Sequence, residues 1–371
     1  MNTDLHGDSN FMQFKIEEKT LHFKQPAGTS RGVYTTRKSW FVHLMDGERE
    51  GVGECAPLPD LSCDARPDYG EVLEKVCAEF CQQLESQRGQ SPFDSLRDYP
   101  SMLFGLETAL LDLRSNLSPL TTHHSPLLFD TAFSRGEVGI PINGLVWMGS
   151  YEEMLQRMEE KLEKGFRCVK LKIGAIDFDQ ELDLIKRIRE RFSFHEVELR
   201  VDANGAFKFE EALYKLELLS QYNIHSIEQP IKAGQWAYMA ELCRESPLPI
   251  ALDEELIGVN DPEMKRHMLN IIKPHYIILK PSLHGGMQGC REWIGTARDM
   301  GIGSWITSAL ESNIGLNAIA QFTSDVYGDD IRMPQGLGTG QLFTDNIEMG
   351  LEIRGDRLWR NEAVQTTPNP S

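Results

Sequence analysis

Five segments decide the fold of this chain: CVKLKIG (168–174), VELRVDAN (197–204), HSIEQP (225–230), PIALDEE (249–255) and YIILKP (276–281). Each segment is a short apolar run that carries a charged residue at or near its end. These charged residues are separated by 30, 26, 25 and 27 residues, and they are Lys172, Asp202, Glu228, Asp253 and Lys280. One strand, one helix and two loops take about that length, the size of a βαβ unit. The spacing therefore predicts parallel strands that alternate with helices.

The same spacing predicts a (β/α)7β barrel of the TIM type, because the active-site residues of such barrels come from the carboxyl ends of several strands. Seven strand-like runs follow one another from PINGLVW (141–147) to SWITSALES (304–312), with helical patterns between them. In CVKLKIG the apolar residues alternate with Lys170 and Lys172, so the two lysines share one face of the strand. Residues that face the helices must be apolar, so we expect the charged set to point into the barrel. Charge is costly there unless it is paired or binds a metal.

The residues before the barrel predict an α+β capping domain. Asp46-Gly47 is typical of a tight hairpin turn between two of its three strands. Two segments, KQPAGTSRG (24–32) and ECAPLPDLSCD (54–64), are too rich in Gly, Pro and Ser for regular structure. The predicted strands cover 11–23, 36–45 and 49–55, and the predicted helices 69–86 and 102–116. The predicted division is a capping domain at 1–125, a barrel at 126–340, and a segment at 341–371 that packs with the cap.

Composition excludes several classes of partner. A net charge of −18 argues against nucleic acid, which needs a basic surface. It does not exclude a small anionic substrate. No run of about 18 apolar residues predicts a membrane span, and the first residues predict no secretion signal. Seven scattered cysteines favour reduced thiols and a cytoplasmic location. Composition leaves the oligomeric state open.

The three acids on consecutive strands predict a metal site. Asp202, Glu228 and Asp253 would converge at the barrel mouth, where mutual repulsion raises carboxyl pKa values unless a cation lies among them. Oxygen ligands suit Mg²⁺, and Mn²⁺ is an alternative. We hypothesise that these three acids bind one divalent ion. The alternative is three unrelated acids at strand ends.

The two lysines that flank the acids predict proton transfer. In a closed barrel Lys172 and Lys280 would stand on opposite sides of the metal. Lys170 lies two residues from Lys172 on the same face, and a neighbouring cation makes an amine lose its proton more easily. A neutral Lys172 could take a proton next to a carboxylate while the metal stabilises the enediolate. Lys170 could instead be a structural partner of a barrel carboxylate.

Taken in order, KLK, VDAN, IEQP, LDE and LKP behind an α+β domain resemble the enolase superfamily, and most of all its muconate-lactonising branch. The resemblance covers nearly the whole chain. It implies metal-assisted removal of a proton α to a carboxylate, with residues 24–32 and 54–64 capping the pocket.

Three further features, TRKSWFVHL (36–44), SALESNIG (308–315) and GLGTGQLFTDN (336–346), resemble the dehydratases of that branch. This resemblance implies a carbon–oxygen lyase of menaquinone biosynthesis that dehydrates a hydroxycyclohexadiene carboxylate. Lys172 would remove the α-proton and then assist departure of hydroxide, and Lys280 would stay charged. Lys170, Ser308 and Gly338 would contact the substrate.

Two alternatives stay open at this point. An N-acylamino acid racemase or dipeptide epimerase would have the same fold and the same two lysines. Dipeptide epimerases typically carry Asp-x-Asp near the last barrel strand, and this chain has adjacent Asp329 and Asp330 there, which counts against that reading. The other alternative is a binding or scaffold protein that keeps the barrel without catalysis. Such a protein would be expected to lack at least one metal ligand or lysine, and all five residues are present.

Overall fold

The structure is a computed structural model that describes residues 12–29, 32–86, 91–115, 126–147 and 149–361. The chain begins with an antiparallel sheet in the order β1-β2-β3, and two helices pack on it. Its elements are β1 (Gln13–Thr29), β2 (Gly32–Asp46), β3 (Arg49–Cys55), α1 (Tyr69–Ser86) and α2 (Pro100–Ser115). The predicted hairpin turn at Asp46-Gly47 is confirmed, with Asp46 paired to Arg49.

Helix α2 lies so close to β3 that the contact requires glycine. A Cβ atom on Gly53 would stand 1.8 Å from the carbonyl oxygen of Gly105 in α2. This close approach places α2 between the cap sheet and the rest of the molecule, and 13 of its 16 residues are buried. A helix buried on all sides carries no amphipathic stripe, which agrees with the apolar body of this segment.

The prediction that 24–32 lacks regular structure is wrong for residues 24–29, which belong to β1, and for Gly32, where β2 begins. The pairing partners of His22 and Ala27 are Thr36 and Tyr34, so β1 advances five residues while β2 advances two. Extra residues in one strand make it bulge and bend. The bulge accommodates Pro26, which cannot donate to a ladder, because it lies where the regular pairing is interrupted.

The predicted barrel is confirmed as a curved parallel sheet of seven strands in sequential order. After the short strand β4 (Ile140–Pro141), the barrel strands are β5 (Gly144–Val146), β6 (Cys168–Lys172), β7 (Glu198–Asp202), β8 (Ser226–Glu228), β9 (Ile250–Leu252), β10 (Tyr276–Leu279) and β11 (Gly303–Ile306). The gap between the two ends of the sheet is bridged by Gln335, which pairs with Ile142, and Gly336, which pairs with Thr307. This short parallel segment is where the final strand of a (β/α)7β barrel lies.

A helix follows each barrel strand. They are α3 (Tyr151–Glu163), α4 (Phe178–Arg191), α5 (Phe209–Ser220), α6 (Trp236–Glu245), α7 (Pro262–Ile272), α8 (Gly286–Asp299) and α9 (Asn313–Tyr327). Helix α3 begins with a capping box formed by Ser150 and Glu153, in which each residue satisfies a backbone N–H of the other. The apolar faces of these helices and strands form one large core around the barrel.

The chain ends in a hairpin of β12 (Leu351–Arg354) and β13 (Arg357–Arg360), which pairs with β4 at the start of the barrel. Just before it, Leu342 accepts a hydrogen bond from the backbone of Lys24, and Asp345 accepts one from the backbone of His22 in β1. The segment after 340 therefore contacts both the cap and the barrel. The predicted boundary at 125/126 and both chain ends (1–11 and 362–371) include residues outside the described ranges, so the domain division stays a prediction.

All seven cysteines lie in described positions and are free thiols. Within the described ranges, the helices are too short or too polar to cross a bilayer.

Candidate active site

The five residues singled out in the sequence form one continuous row across adjacent strands. Lys172 pairs in register with Asp202, and Asp202 pairs with Glu228. Asp253 directly follows β9 and Lys280 directly follows β10, so each side chain stands one strand further along the same face. In a parallel sheet equivalent strand ends meet at one edge, which is why residues far apart in sequence become neighbours. The row runs lysine, three acids, lysine.

The first lysine and its neighbour are bound to the first two acids. The Nζ atom of Lys172 donates to Asp202 Oδ2 at 2.5 Å and to Asn204 Oδ1 at 2.8 Å. The Nζ atom of Lys170 donates to the same Asp202 oxygen at 3.1 Å and to Glu228 Oε2 at 2.7 Å. Both lysines are 8% exposed and the two acids at most 2%. Lys170 is thus a partner of two barrel carboxylates, which was the alternative reading of its position.

Burial and charge act in opposite directions on these groups. Burial alone would raise the pKa of Asp202, but Lys172 and Lys170 outweigh it and lower that pKa. Burial and repulsion by Asp202 raise the pKa of Glu228 well above its usual value, despite Lys170. Burial would lower the pKa of Lys170, but Glu228 and Asp202 outweigh it and raise the pKa. Glu228, the middle acid of the row, is therefore the carboxylate whose charged form an additional cation would stabilise most.

At the other end of the row, Lys280 donates to Asp253 Oδ2. The backbone N–H of Lys280 donates to His284 Nδ1 at 2.9 Å. That bond leaves the imidazole proton on Nε2, which faces Asp253 Oδ1 at 3.9 Å. Burial lowers the pKa of His284 to about 3, so the ring is neutral, and its Nε2 makes no hydrogen bond within the described residues.

Two buried carboxylate oxygens in the row, Glu228 Oε1 and Asp253 Oδ1, have no hydrogen-bond partner among the described residues. Buried acceptors without partners are costly, and a cation is one way to satisfy them. In the described part of the chain, no three ligating side chains are gathered closely enough to hold an ion as they stand. Lysine ammonium groups instead donate to one oxygen of each acid, Asp202 Oδ2, Glu228 Oε2 and Asp253 Oδ2. The donor chemistry of the three acids fits a divalent cation.

A pocket of about 580 Å³ opens above the row, with Lys170, Lys172 and Lys280 in its wall. Ser308 and Gly338, predicted to contact substrate, also line it. The hydroxyl of Ser308 is bonded to that of Thr339 at 2.5 Å. The rest of the wall includes Phe23 and apolar side chains from both predicted capping segments: Pro26, Ala27, Leu58 and Leu61. The pocket therefore combines an apolar lining with cationic groups at its base.

Sequence reasoning missed two residues, one inside this site and one behind it. Asn204 has a left-handed backbone (φ 44°), bonds Lys172 and donates to Glu254 Oε1 at 2.9 Å. Its position in VDAN, two residues after Asp202, was a signal that could have found it. Arg37, which lies in the cap and is only 3% exposed, carried no local signal.

Comparisons with known families agree with this geometry. The family described as "Enolase C-terminal domain-like" matches residues 153–348, and "MenC, N-terminal domain" matches residues 28–113. The first match covers more than half of the chain and spans the whole row of lysines and acids. The chain belongs to the enolase superfamily.

Comparison with individual proteins indicates which group of enzymes within the superfamily this chain resembles. An o-succinylbenzoate synthase from Desulfotalea psychrophila is 46% identical, over 94% of this chain and 98% of the relative. The crystal structure of MenC from the same organism is 41% identical, with a TM-score of 0.78 over 94% of this chain and 99% of that one. Within the superfamily, the chain falls among the o-succinylbenzoate synthases. A dipeptide epimerase from Cytophaga hutchinsonii, described as complexed with Mg and a dipeptide, shares the fold at 21% identity, with a TM-score of 0.75 over 94% and 93% of the two chains.

Proposed function

We propose that this chain is an o-succinylbenzoate synthase, which dehydrates 2-succinyl-6-hydroxy-2,4-cyclohexadiene-1-carboxylate to 2-succinylbenzoate in menaquinone biosynthesis. The observation that carries the proposal is the full-length similarity to a synthase at 46% identity, combined with the intact lysine–acid row. The substrate is a small anion. The three lysines at the base of the pocket are paired with the three acids, so a bound cation would give the site the net positive charge that favours such a substrate.

In this proposal Lys172 acts twice. It first takes the proton α to the carboxylate, and the resulting ammonium then donates a proton as hydroxide leaves from the same face. Its bond to Asn204 holds Nζ near the pocket. Lys280 remains charged, because Asp253 and Glu228 outweigh burial and raise its pKa, and it stabilises the negative charge that develops on the substrate. The product is aromatic, so the elimination is favourable once the first proton has been removed.

Asp202, Glu228 and Asp253 would hold a divalent cation, Mg²⁺ or Mn²⁺. Such an ion supplies the charge stabilisation that removal of a proton α to a carboxylate requires. Two oxygens in this group lack partners among the described residues, and the pKa of Glu228 is raised by burial and by Asp202. Both features favour an added cation. The cytoplasm is the proposed location, since all seven thiols are free.

The test is an assay of purified protein with the cyclohexadiene carboxylate against a panel of N-succinyl amino acids and dipeptides. We expect dehydration that needs Mg²⁺ or Mn²⁺ and is lost with a chelator. Racemisation of the panel without dehydration would support the alternative of an N-acylamino acid racemase or dipeptide epimerase.

A pair of variants separates a specific metal effect from a general loss of charge. Glu228→Gln should abolish metal-dependent turnover because it removes the negative charge of the middle ligand. Glu292→Gln is the matched control, since this partly buried carboxylate also binds a lysine, Lys265 at 2.7 Å, but lies outside the pocket. Full activity of Glu228→Gln would refute the metal assignment.

A further inference from the structure

Arg37 in β2 joins the cap to the barrel through a single buried guanidinium. Its Nε donates to the carbonyl of Leu310 at 3.2 Å, and Nη2 donates to Ala56 at 2.5 Å and to Ala309 at 3.4 Å. Its Nη1 donates to the carbonyl of Pro57. Two of these carbonyls belong to the cap and two to the barrel. The planar fork of arginine can satisfy several acceptors at fixed angles, which a lysine ammonium cannot do.

The four carbonyl groups that Arg37 binds belong to two loops, and both loops line the pocket. Ala56 and Pro57 begin the loop after β3, which places Leu58 and Leu61 in the pocket wall. Ala309 and Leu310 lie after β11 and are themselves part of the wall. Leu58, Ala309 and Leu310 belong to one small apolar cluster, separate from the cores of cap and barrel. Arg37 therefore stands behind the place where two pocket-lining loops from different parts of the chain meet.

The barrel loop has an unfavourable backbone conformation at this point. Leu310 has φ 65°, in the left-handed region that residues with a bulky side chain rarely adopt. Such a conformation costs about 1–3 kcal/mol and persists only where surrounding contacts fix it. The bond from Arg37 Nε to the Leu310 carbonyl is one of those contacts.

A second contact from the cap sheet fixes the other end of the same loop. Glu54 in β3 accepts from the backbone of Ser312 and of Gly315, both at 2.9 Å, at the start of α9. It also accepts from the Ser39 hydroxyl at 2.8 Å. Glu54 and Glu311 are both completely buried, and the negative charge of each stabilises the buried Arg37 guanidinium.

We propose that Arg37 is a positioning residue for substrate binding, a latch that sets the spacing between the loop after β3 (56–63) and the loop after β11 (307–312). Arg37 does not line the pocket, so it acts through the loops. The inference rests on the proposed function for the identity of the ligand, because it concerns the same pocket.

The experiment compares Arg37→Lys with Arg189→Lys. Arg189 in α4 makes the same kind of contact, with three backbone carbonyls at 2.7–3.0 Å: Val197, Tyr222 and Asn223. Those residues precede barrel strands, so they lie at the end opposite the pocket. Steady-state kinetics with the cyclohexadiene carboxylate and binding of 2-succinylbenzoate should be measured for both variants.

For Arg37→Lys we expect KM and the Kd of 2-succinylbenzoate to rise at least about tenfold, because loops displaced by about 1 Å misplace the ligand. The kcat should fall much less, since contacts made equally with bound substrate and transition state affect KM. Arg189→Lys should lose stability but leave KM unchanged. Equal effects of the two variants on KM would overturn the proposal, because they would make Arg37 a merely structural residue.

Hydrogen exchange on the unmodified protein provides a test that needs neither variant nor substrate. The amide of Ser62 is bonded to Leu58, and that of Ala309 to Glu311 at 2.7 Å, so both loops contain protected amides. If Arg37 latches the two loops, 56–63 and 307–312 should open together with one free energy of opening, and independent opening would contradict the proposal. If 2-succinylbenzoate fails to bind the unmodified protein but the two loops still exchange together, the proposed substrate is wrong and the latch stands.

Discussion

Replacing Lys172 by Met removes the amine to which proton transfer is assigned while keeping an unbranched side chain of similar length. The amine makes two bonds, to Asp202 and Asn204. After replacement, Asp202 would still accept from Lys170 at 3.1 Å and from the backbone of Asn204 at 3.0 Å. The acid is therefore not left without partners.

These contacts give different magnitudes for stability and for rate. A hydrogen bond to a charged group contributes about 1.5–3 kcal/mol, so the free energy of unfolding should fall by about 2 kcal/mol. It should not fall by the 3–5 kcal/mol expected for a buried charge with no partner. Loss of a general base and acid should lower kcat at least about 10³-fold, which corresponds to about 4 kcal/mol in the barrier.

The assay combines turnover of the cyclohexadiene carboxylate with calorimetric titration of Mg²⁺. Lys172→Met should bind the ion and lose turnover. The matched control is Lys215→Met, which removes a lysine paired with Glu211 at 2.8 Å on the outside of the barrel. A Lys172→Met enzyme whose kcat lies within tenfold of the unmodified enzyme would refute the role of this lysine.

Three further predictions concern charge, pH and packing. If Lys280 acts only as a cation, Lys280→Arg should retain far more kcat than Lys280→Met, and equal loss in both variants would count against that role. Glu107 is buried and accepts hydrogen bonds from the backbone at the start of α8. Burial raises the pKa of its carboxyl group to about 7, so the native state binds the carboxyl proton more tightly than the unfolded state does. The stability that this proton contributes is complete below about pH 4.3 and is lost as pH rises through 7. Between pH 5 and 8, the free energy of unfolding of Glu107→Gln, measured by chemical unfolding, should therefore increase by up to about 3 kcal/mol relative to that of the unmodified protein. A difference that stays constant with pH would contradict this. Gly53→Ala should lower the melting temperature because the added Cβ would overlap α2. The control is Gly295→Ala in α8, where the added Cβ would meet no atom of another element within 4 Å, and it should raise the melting temperature slightly. An unchanged melting temperature in Gly53→Ala would show that α2 can shift away from the sheet.

The barrel and the row of charged residues were predictable because both depend on local patterns. Alternation within CVKLKIG assigns Lys172 to the inner face, and the even spacing places the acids on neighbouring strands. The (β/α)7β fold predicts a helix after the seventh strand, but no segment was assigned to it, because ten residues of α9 are buried and it shows no amphipathic stripe. Its signal was the capping serine, Ser312, which accepts from Ile314.

The contacts between cap and barrel could not be predicted from sequence. Arg37 bonds to Leu310, 273 residues away, and the pattern TRKSWFVHL shows only an alternating strand. The extension of β1 through Pro26 was missed for a similar reason, since the bulge that accommodates proline depends on its partner strand. Such features are decided by tertiary packing, which overrides local propensity.

The most direct measurement is a crystal structure with Mg²⁺ and 2-succinylbenzoate. We predict one ion bound by oxygens of Asp202, Glu228 and Asp253, with the Nζ atoms of Lys172 and Lys280 on opposite faces of the bound acid. An ion bound elsewhere, an acid of the three turned away from it, or both amines on one face of the ligand would contradict the account.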